Sequence, residues 1–286
     1  LLPDLNDGRR LIWYGKTGAI RAGEIHDPDP LDGSTEHYYW DRNALDPYSA
    51  AFGKNTKAEY YGFAHGEGSF AEGDYSVAFG KGNYAISDGT LATGEDTEAT
   101  DLYAVAMGYN TRADYNSSAA FNNQTRANGA NALALGLNTV ADYDMCVVMG
   151  NGTDCDGAAN AGWALGLNTN VSQPYTIAMG EDTEADIHGG IAMGVGAHAS
   201  SPGNFALAMG HDVTVSGFHS MGVGENLVVS GSNSIGFSVG NASFADLNLP
   251  KVLLVKGNMG IGTTNPSGEL DIIGDVRAQN CIPAPS

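Results

Sequence analysis

The sequence predicts an all-β chain, a parallel β-roll or β-solenoid wound in coils of about 14 residues. Three observations carry this. A pentapeptide ending in glycine returns at a near-constant step, small residues keep a strict parity around it, and the composition is rich in glycine and poor in charge. Ser76-Val77-Ala78-Phe79-Gly80 recurs as Ala104-Val105-Ala106-Met107-Gly108, Ala132-Leu133-Ala134-Leu135-Gly136, Thr176-Ile177-Ala178-Met179-Gly180 and Ala206-Leu207-Ala208-Met209-Gly210. The closing residue falls at 53, 66, 80, 94, 108, then Asn122, then 136, 150, 166, 180, 194, 210, 222 and 236. Such a step marks a stacked repeat in which each unit buries its apolar face only against its neighbours. With 40 glycines in 286 residues and only 16% charged residues, the chain suits a turn-dense solenoid rather than a helical enzyme.

Fourteen residues are too few for a helical hairpin but enough for two short strands and two turns. Val, Ala, Thr and Met fill the strands; Asn, Asp and Gly fill the turns. Counted from the closing glycine, position −2 is nearly always Ala (Ala51, Ala64, Ala78, Ala106, Ala134, Ala178), position +3 usually Thr (Thr56, Thr97, Thr139, Thr183) and position +5 mostly Ala (Ala58, Ala85, Ala113, Ala141). Val148, Ser220 and Ser234 stand out as exceptions at −2 in this register. Residues two apart in a strand share a face, so these three positions turn inward and enclose a thin interior between two sheets.

The other face of the first strand predicts association. Positions −3 and −1 hold Val77, Phe79, Val105, Met107, Leu133, Leu135, Trp163, Ile177, Met179, Ile191, Met193, Leu207 and Met209. They point away from the roll and would form one long apolar stripe, which a soluble monomer rarely exposes. The expectation is an obligate homo-oligomer with these side chains at its core.

These residues also carry a family resemblance. The repeat resembles the head repeats of YadA-like trimeric autotransporter adhesins, matching their Ser-Val-Ala-Ile-Gly motif with Phe, Met or Leu for Ile over roughly residues 46 to 245. The resemblance implies a left-handed parallel β-roll, a homotrimer around one axis, and an adhesive or spacer role at a surface. Related repeats occur in phage tail fibres. Departures are the sixteen-residue steps into Gly166 and Gly210, the twelve-residue step into Gly222, and Asn122 for glycine, each expected to mark a local bulge or insertion.

Residues 1–45 differ from the repeat and read as an N-terminal β cap. Arg10-Leu11-Ile12-Trp13-Tyr14 and Gly18-Ala19-Ile20-Arg21-Ala22-Gly23 form two strands around Lys16-Thr17-Gly18, and Asp27-Pro28-Asp29-Pro30 marks a turn. A cap protects the first open rung from edge-to-edge pairing; the alternative is a receptor-facing aromatic tip built from Trp13, Tyr14, Tyr38, Tyr39 and Trp40. Residues 246–286 form a C-terminal β connector. Lys251-Val252-Leu253-Leu254-Val255 reads as a buried strand, and Gly260-Ile261-Gly262-Thr263-Thr264-Asn265-Pro266 resembles a module found in fibre proteins ahead of a stalk or assembly domain. The chain, starting at Leu1 and stopping after Pro285-Ser286, reads as a trimmed piece of a longer product that continues C-terminally.

Composition excludes several functions. The chain has 13 Lys and Arg against 33 Asp and Glu, a net charge of −20, which repels a phosphate backbone and anionic lipid. No apolar run reaches the roughly 18 residues of a membrane span. No nucleic-acid partner and no direct membrane insertion are expected. No Ser, His and acid set follows a known signature, and Gly260-Ile261-Gly262 lacks the helix and lysine of a phosphate loop, so no enzyme is expected.

Five smaller features invite chemistry. Glu95-Asp96-Thr97-Glu98 and Glu181-Asp182-Thr183-Glu184 could bind calcium but read first as a solvated acidic face; no cofactor is expected. His65 at −1 and His219 at −3 would each lie three times around a trimer axis, where imidazoles bind a metal, hold an anion when protonated, or hydrogen-bond to water and each other. Thr93 and Asn233 would share those columns and fix register. Cys146 and Cys155 face one interior and are either a disulfide, which fits an extracytoplasmic setting, or two small buried thiols; Cys281 is left over. Asn-x-Ser/Thr sites at Asn116, Asn123, Asn151, Asn170 and Asn241 matter only where secreted proteins are glycosylated.

The functional expectation is a non-enzymatic fibre segment, extracellular or on the cell surface, that mediates attachment or acts as a rigid spacer. Its partners would be its own copies and a host receptor, matrix or surface glycan. The alternatives are a virion tail-fibre segment for host recognition and a self-assembling filament subunit.

Overall fold

A computed structural model describes residues 8–26, 40, 45–200, 202, 204–238, 245–248, 250, 253–256, 259–261 and 270–272. Its body is a parallel β-solenoid, and both strands of every coil pair with their counterparts one coil away. First strands run in a continuous ladder: Val105, Ala106, Met107 and Gly108 pair with Leu91, Ala92, Thr93 and Gly94 on one side, and with Ala119, Ala120, Phe121 and Asn122 on the other. Second strands are two residues long, as in Glu98-Ala99 against Arg112-Ala113. The corners bond too, with Gly82, Asp96 and Asn110 donating their N–H to Glu67, Lys81 and Glu95.

Parity places the core as expected. Ala78, Ala106 and Ala134 at −2, Thr97, Thr111 and Thr139 at +3, and Ala99, Ala113 and Ala141 at +5 are all buried. The closing column demands glycine for two reasons. Gly136 sits at φ +135, and a Cβ there would collide with the carbonyl oxygen of Gly150 in the next coil. Asn122 meets the same demand by drawing φ back to 91 while its strand keeps full register with Gly108 and Gly136, so no bulge forms there. Both corners need the left-handed region. Nine non-glycine residues at +2, including Asn55, Asp96, Asn110 and Asp182, have φ of 49–54 and carry Asn, Asp or Gln, whose side chains tolerate it.

The register differs from expectation in the last coils. Leu207, Ala208, Met209 and Gly210 pair with Met221, Gly222, Val223 and Gly224, and these with Ile235, Gly236, Phe237 and Ser238. The closing residues are therefore Gly224 and Ser238, and the twelve-residue step does not exist. Gly222 and Gly236 stand at −2, where earlier coils have Ala. The reason is volume. Val213, Val215, Leu227 and Val229 occupy +3 and +5 and fill the space an alanine methyl would need. A Cβ on Gly222 would lie 2.8 Å from a Val215 methyl and 3.1 Å from a Val213 methyl. Ser220 and Ser234 move to −4, beside the turn. The sixteen-residue step into Gly166 is a corner insertion at Asp156–Ala161: Asp154-Cys155 and Trp163–Leu167 on either side stay in register.

The first strands continue into the N-terminal segment. β1 (Gly8–Tyr14) and β2 (Ala19–Ile25) form an antiparallel hairpin, and β2 pairs in parallel with Ala50–Lys54 as the first rung, Gly23 opposite Gly53. Arg21 takes the inward place used elsewhere by Ala and closes the open end of the roll. Its guanidinium donates to the carbonyls of Ile20, Ser49 and Ala58 at 2.8–3.1 Å and to Ser49 Oγ at 2.9 Å. Burial pulls its pKa down to about 10, partly offset by Asp46. Trp40 is buried with Ile12, Ala19, Ile25 and Leu45, and its Nε1 donates to Thr56 O at 2.8 Å. At the other end Ala245–Leu247 and Leu253–Lys256 extend the second-strand and first-strand ladders past residue 245. Met259–Ile261 and Leu270–Ile272 form a separate parallel pair. Asp27–Pro30, Tyr38, Tyr39, Asn241, Cys281 and most of the Gly-Ile-Gly-Thr-Thr module lie outside the described residues.

Candidate functional site: the outer face of the first-strand ladder

Because strand residues alternate, whatever faces the roll's interior at −2 leaves −3 and −1 facing out. In the corrected register the −3 column ends Leu207, Met221, Ile235, Leu253 and the −1 column ends Met209, Val223, Phe237, Val255. At the start, Trp13 lies opposite Ile20 and Leu11 opposite Ala22, which pair onward with Ala50 and Phe52. Leu11 and Trp13, each 76% exposed, thus continue the two columns instead of forming a separate tip. Leu253 is 59% exposed for the same reason, so its strand is not a buried one.

Every residue expected at an oligomer core lies on this face: Val77, Val105, Leu133, Trp163, Ile177, Ile191 and Leu207 in one column, and Phe79, Met107, Leu135, Met179, Met193 and Met209 in the other. They are half-buried by their neighbours along the column and open to solvent outward, Phe79 at 49% and Trp163 at 50%. Apart from His65 and Thr93 the two columns are apolar throughout.

His219 and Asn233 leave the site. Both are corner residues at −5 with φ of 51 and 55, and His219 stacks on Phe205 with ring centroids 5.7 Å apart. Their expected places at −3 belong to Met221 and Ile235. His65 stays at −1, between Phe52 and Phe79 in its column, and lies flat on Phe79 at 4.8 Å with 11° between the rings.

The −5 corner holds a feature the sequence reading missed. Tyr48, Tyr61 and Tyr75 stack in succession at 5.2 and 4.8 Å, and Tyr103, Tyr175 and Phe205 occupy the same corner further along, all with positive φ. The signal was present in the sequence as tyrosine recurring five residues ahead of the closing glycine.

Charges sit on the turns and the second-strand face. Lys54 pairs with Glu67 and Lys81 with Glu95, each at 2.9 Å, and Arg112 reaches Glu98 at 3.3 Å, so the first acidic cluster is partly neutralised by adjacent coils. In the second, Asn168 Nδ2 donates to Asp182 at 3.0 Å and His198 Nδ1 lies 3.4 Å from Glu184. Among the described residues no group of three or more His, Cys, Asp or Glu within one chain is placed to hold a metal ion. Burial, with Asp156 and Asp142 nearby, pushes the Asp154 carboxyl up to about 6. Cys146 and Cys155 are joined as a disulfide across the interior, with Cα atoms 6.5 Å apart. Among the described residues no helix is long and apolar enough to cross a membrane, which says nothing of a β-barrel.

The family described as YadA head domain repeat matches the chain in two copies, over residues 63–83, 85–111 and 188–212. Within these spans the coils match YadA head repeats. The matched spans include Val77, Phe79, Val105 and Met107 near one end of the apolar face, and Ile191, Met193, Leu207 and Met209 near the other. No curated protein matches the chain. The YadA head is an adhesin-type family, and the paired columns of large apolar residues lie on the outward face of this chain's recurring pentapeptide.

Proposed function

We propose that the chain is a segment of a non-enzymatic homotrimeric fibre, displayed outside the cell, whose three rolls pack their first-strand faces around a common axis and serve in surface attachment or as a rigid spacer. The observation that supports this is the continuity of the two apolar columns from Trp13 and Leu11 to Leu253 and Val255. At ~4.8 Å per strand the stripe runs roughly 75 Å. About two dozen large side chains keep part of their surface in water on one subunit, from a minor share for most to about half for Phe79 and Trp163. Covering that part at ~0.8 kcal/mol each yields roughly 20 kcal/mol per chain, an upper estimate that still exceeds the ~4–15 kcal/mol lost on association. Three copies, rather than two, follow from the likeness to YadA heads, as does the cell-surface or extracellular location. The Cys146–Cys155 pair suits an oxidising compartment.

Sedimentation of the purified chain at neutral pH, with electron microscopy of the same sample, tests the assembly. Discrete rods of three-chain mass are expected, and a monomer would overturn the reading. Beads coated with the trimer and challenged with matrix proteins and host cells then separate attachment from a spacer role.

A further inference from the structure

We propose that three copies of His65, one from each chain, form a metal site on the trimer axis that takes one borderline divalent cation of the zinc, nickel or cobalt class. This rests on the trimeric assembly proposed above. Among the described residues His65 is the sole ionisable side chain in either axial column. The other described histidines lie away from it: His26 follows the second strand and holds the Asn55 side chain through its backbone, His198 faces Glu184, His211 faces Asp212, and His188 and His219 pack against corner aromatics.

Geometry makes His65 a ligand. Its strand parity sends the side chain off the roll toward the axis, and its ring is laid flat on Phe79, with Phe52 on the preceding coil and Phe63 two residues away on the same face. Nε2 is the ring nitrogen farther from the point of attachment, and so the one better able to reach a shared ion. Among the described residues the ring makes no hydrogen bond or ion pair, only this aromatic stack. Threefold symmetry then brings three such nitrogens together in a wall of phenylalanine.

Chemistry selects the ion. Three nitrogens meeting at an axis cannot satisfy one another by hydrogen bonding, because each pair needs one donor and one acceptor. A cation accepts all three lone pairs at once and leaves a fourth position for water, the arrangement of three-histidine zinc sites. Calcium and magnesium require oxygen ligands, and no carboxylate lies in either column. An anion is opposed by the net charge of −20 carried by every chain.

The test uses tag-free chain stripped with a chelator, exchanged into zinc and dialysed, with metal content and sedimentation mass measured on the same sample. One zinc per three chains is expected, lost in His65→Phe, a variant that matches its neighbours Phe52 and Phe79 and should still assemble. Cobalt should give the visible absorption of a tetrahedral nitrogen site in the wild type alone, and zinc should raise the melting midpoint of the wild type by several degrees without moving that of the variant. A trimer that holds no zinc, or that holds it equally in His65→Phe, overturns the site and leaves the assembly standing. A monomeric mass overturns the assembly, and the site with it.

Discussion

Replacing Gly222 by Ala tests the register of the last coils, on which the continuity of the apolar face depends. In the structure Gly222 faces inward at −2, and an added Cβ would lie 2.8 Å from Val215 Cγ2, 3.1 Å from Val213 Cγ1 and 3.3 Å from Val229 Cγ2. All three are methyls of β-branched residues with little rotamer freedom, so the interior must absorb the strain, at about 1–3 kcal/mol per chain. Val215→Ala alone removes two buried methyl groups and should cost about 2 kcal/mol. The double variant restores the Ala-plus-Ala pairing that Ala127 and Ala134 make at an ordinary coil. Its cost should fall at least ~1 kcal/mol below the sum of the singles, a coupling typical of side chains in contact. The assay is chemical unfolding of the four proteins at one chain concentration, followed by circular dichroism, with the m-value checked for constancy. If Gly222 were instead the closing glycine at positive φ, alanine would be strained whatever stood at 215. Additivity within ~0.5 kcal/mol would therefore refute the register.

Three further outcomes are expected. Thr139 Oγ1 is buried without a partner, as are the hydroxyls of Thr111, Thr125 and Thr153, and Val213 already serves at the equivalent place; Thr139→Val should stabilise by about 1 kcal/mol in the same unfolding assay. Replacing Cys146 and Cys155 together by Ala releases a loop of sequence separation 9 and should cost about 2–3 kcal/mol, with added reductant lowering the melting midpoint of the wild type but not of the variant. The Asp154 carboxyl, raised to about 6, is disfavoured as an anion in the fold, so a penalty absent below its ordinary value of 3.8 grows as pH rises and is complete above about 6. Asp154→Asn should raise stability at pH 7.5 by ~1 kcal/mol, a figure discounted for the side chain's partial exposure, and leave it unchanged at pH 3.5.

Much of the fold was legible because a solenoid writes its rules repeatedly. Ala at −2 and Thr at +3 recur often enough that parity alone separates the interior from the outer face, and the outer residues declare themselves by size. Features that occur once were less legible. Arg21 fills a place that alanine holds elsewhere, because the end of a roll exposes carbonyls that no further coil will meet, and a guanidinium can satisfy several at once. The exposed stack of Tyr48, Tyr61 and Tyr75 was obscured because the αL corner it occupies favours Asn, Asp and Gly, so an aromatic there contradicts the local rule that reveals the other corner.

The misreading of the last two coils has a cause in how glycine is used. Gly210 and Gly222 share a residue type but answer different constraints: a Cβ on the first would strike the backbone carbonyl of Gly224, while a Cβ on the second would strike valine methyls across the interior. The first constraint belongs to the backbone and recurs in nearly every coil; the second arises only where valine or leucine has replaced the usual Thr and Ala. A count of glycines cannot tell them apart, but their partners can. Val213 and Val215 precede Gly222 in the chain, and their methyls leave no room for a side chain at its site. Once they are weighed, the closing position shifts by two residues, Met221, Val223, Ile235 and Phe237 enter the outer columns, and His219 and Asn233 leave them. The apolar face then runs unbroken from the coil beyond Thr93 to Val255, which leaves His65 as the one imidazole that a trimer axis would have to accommodate.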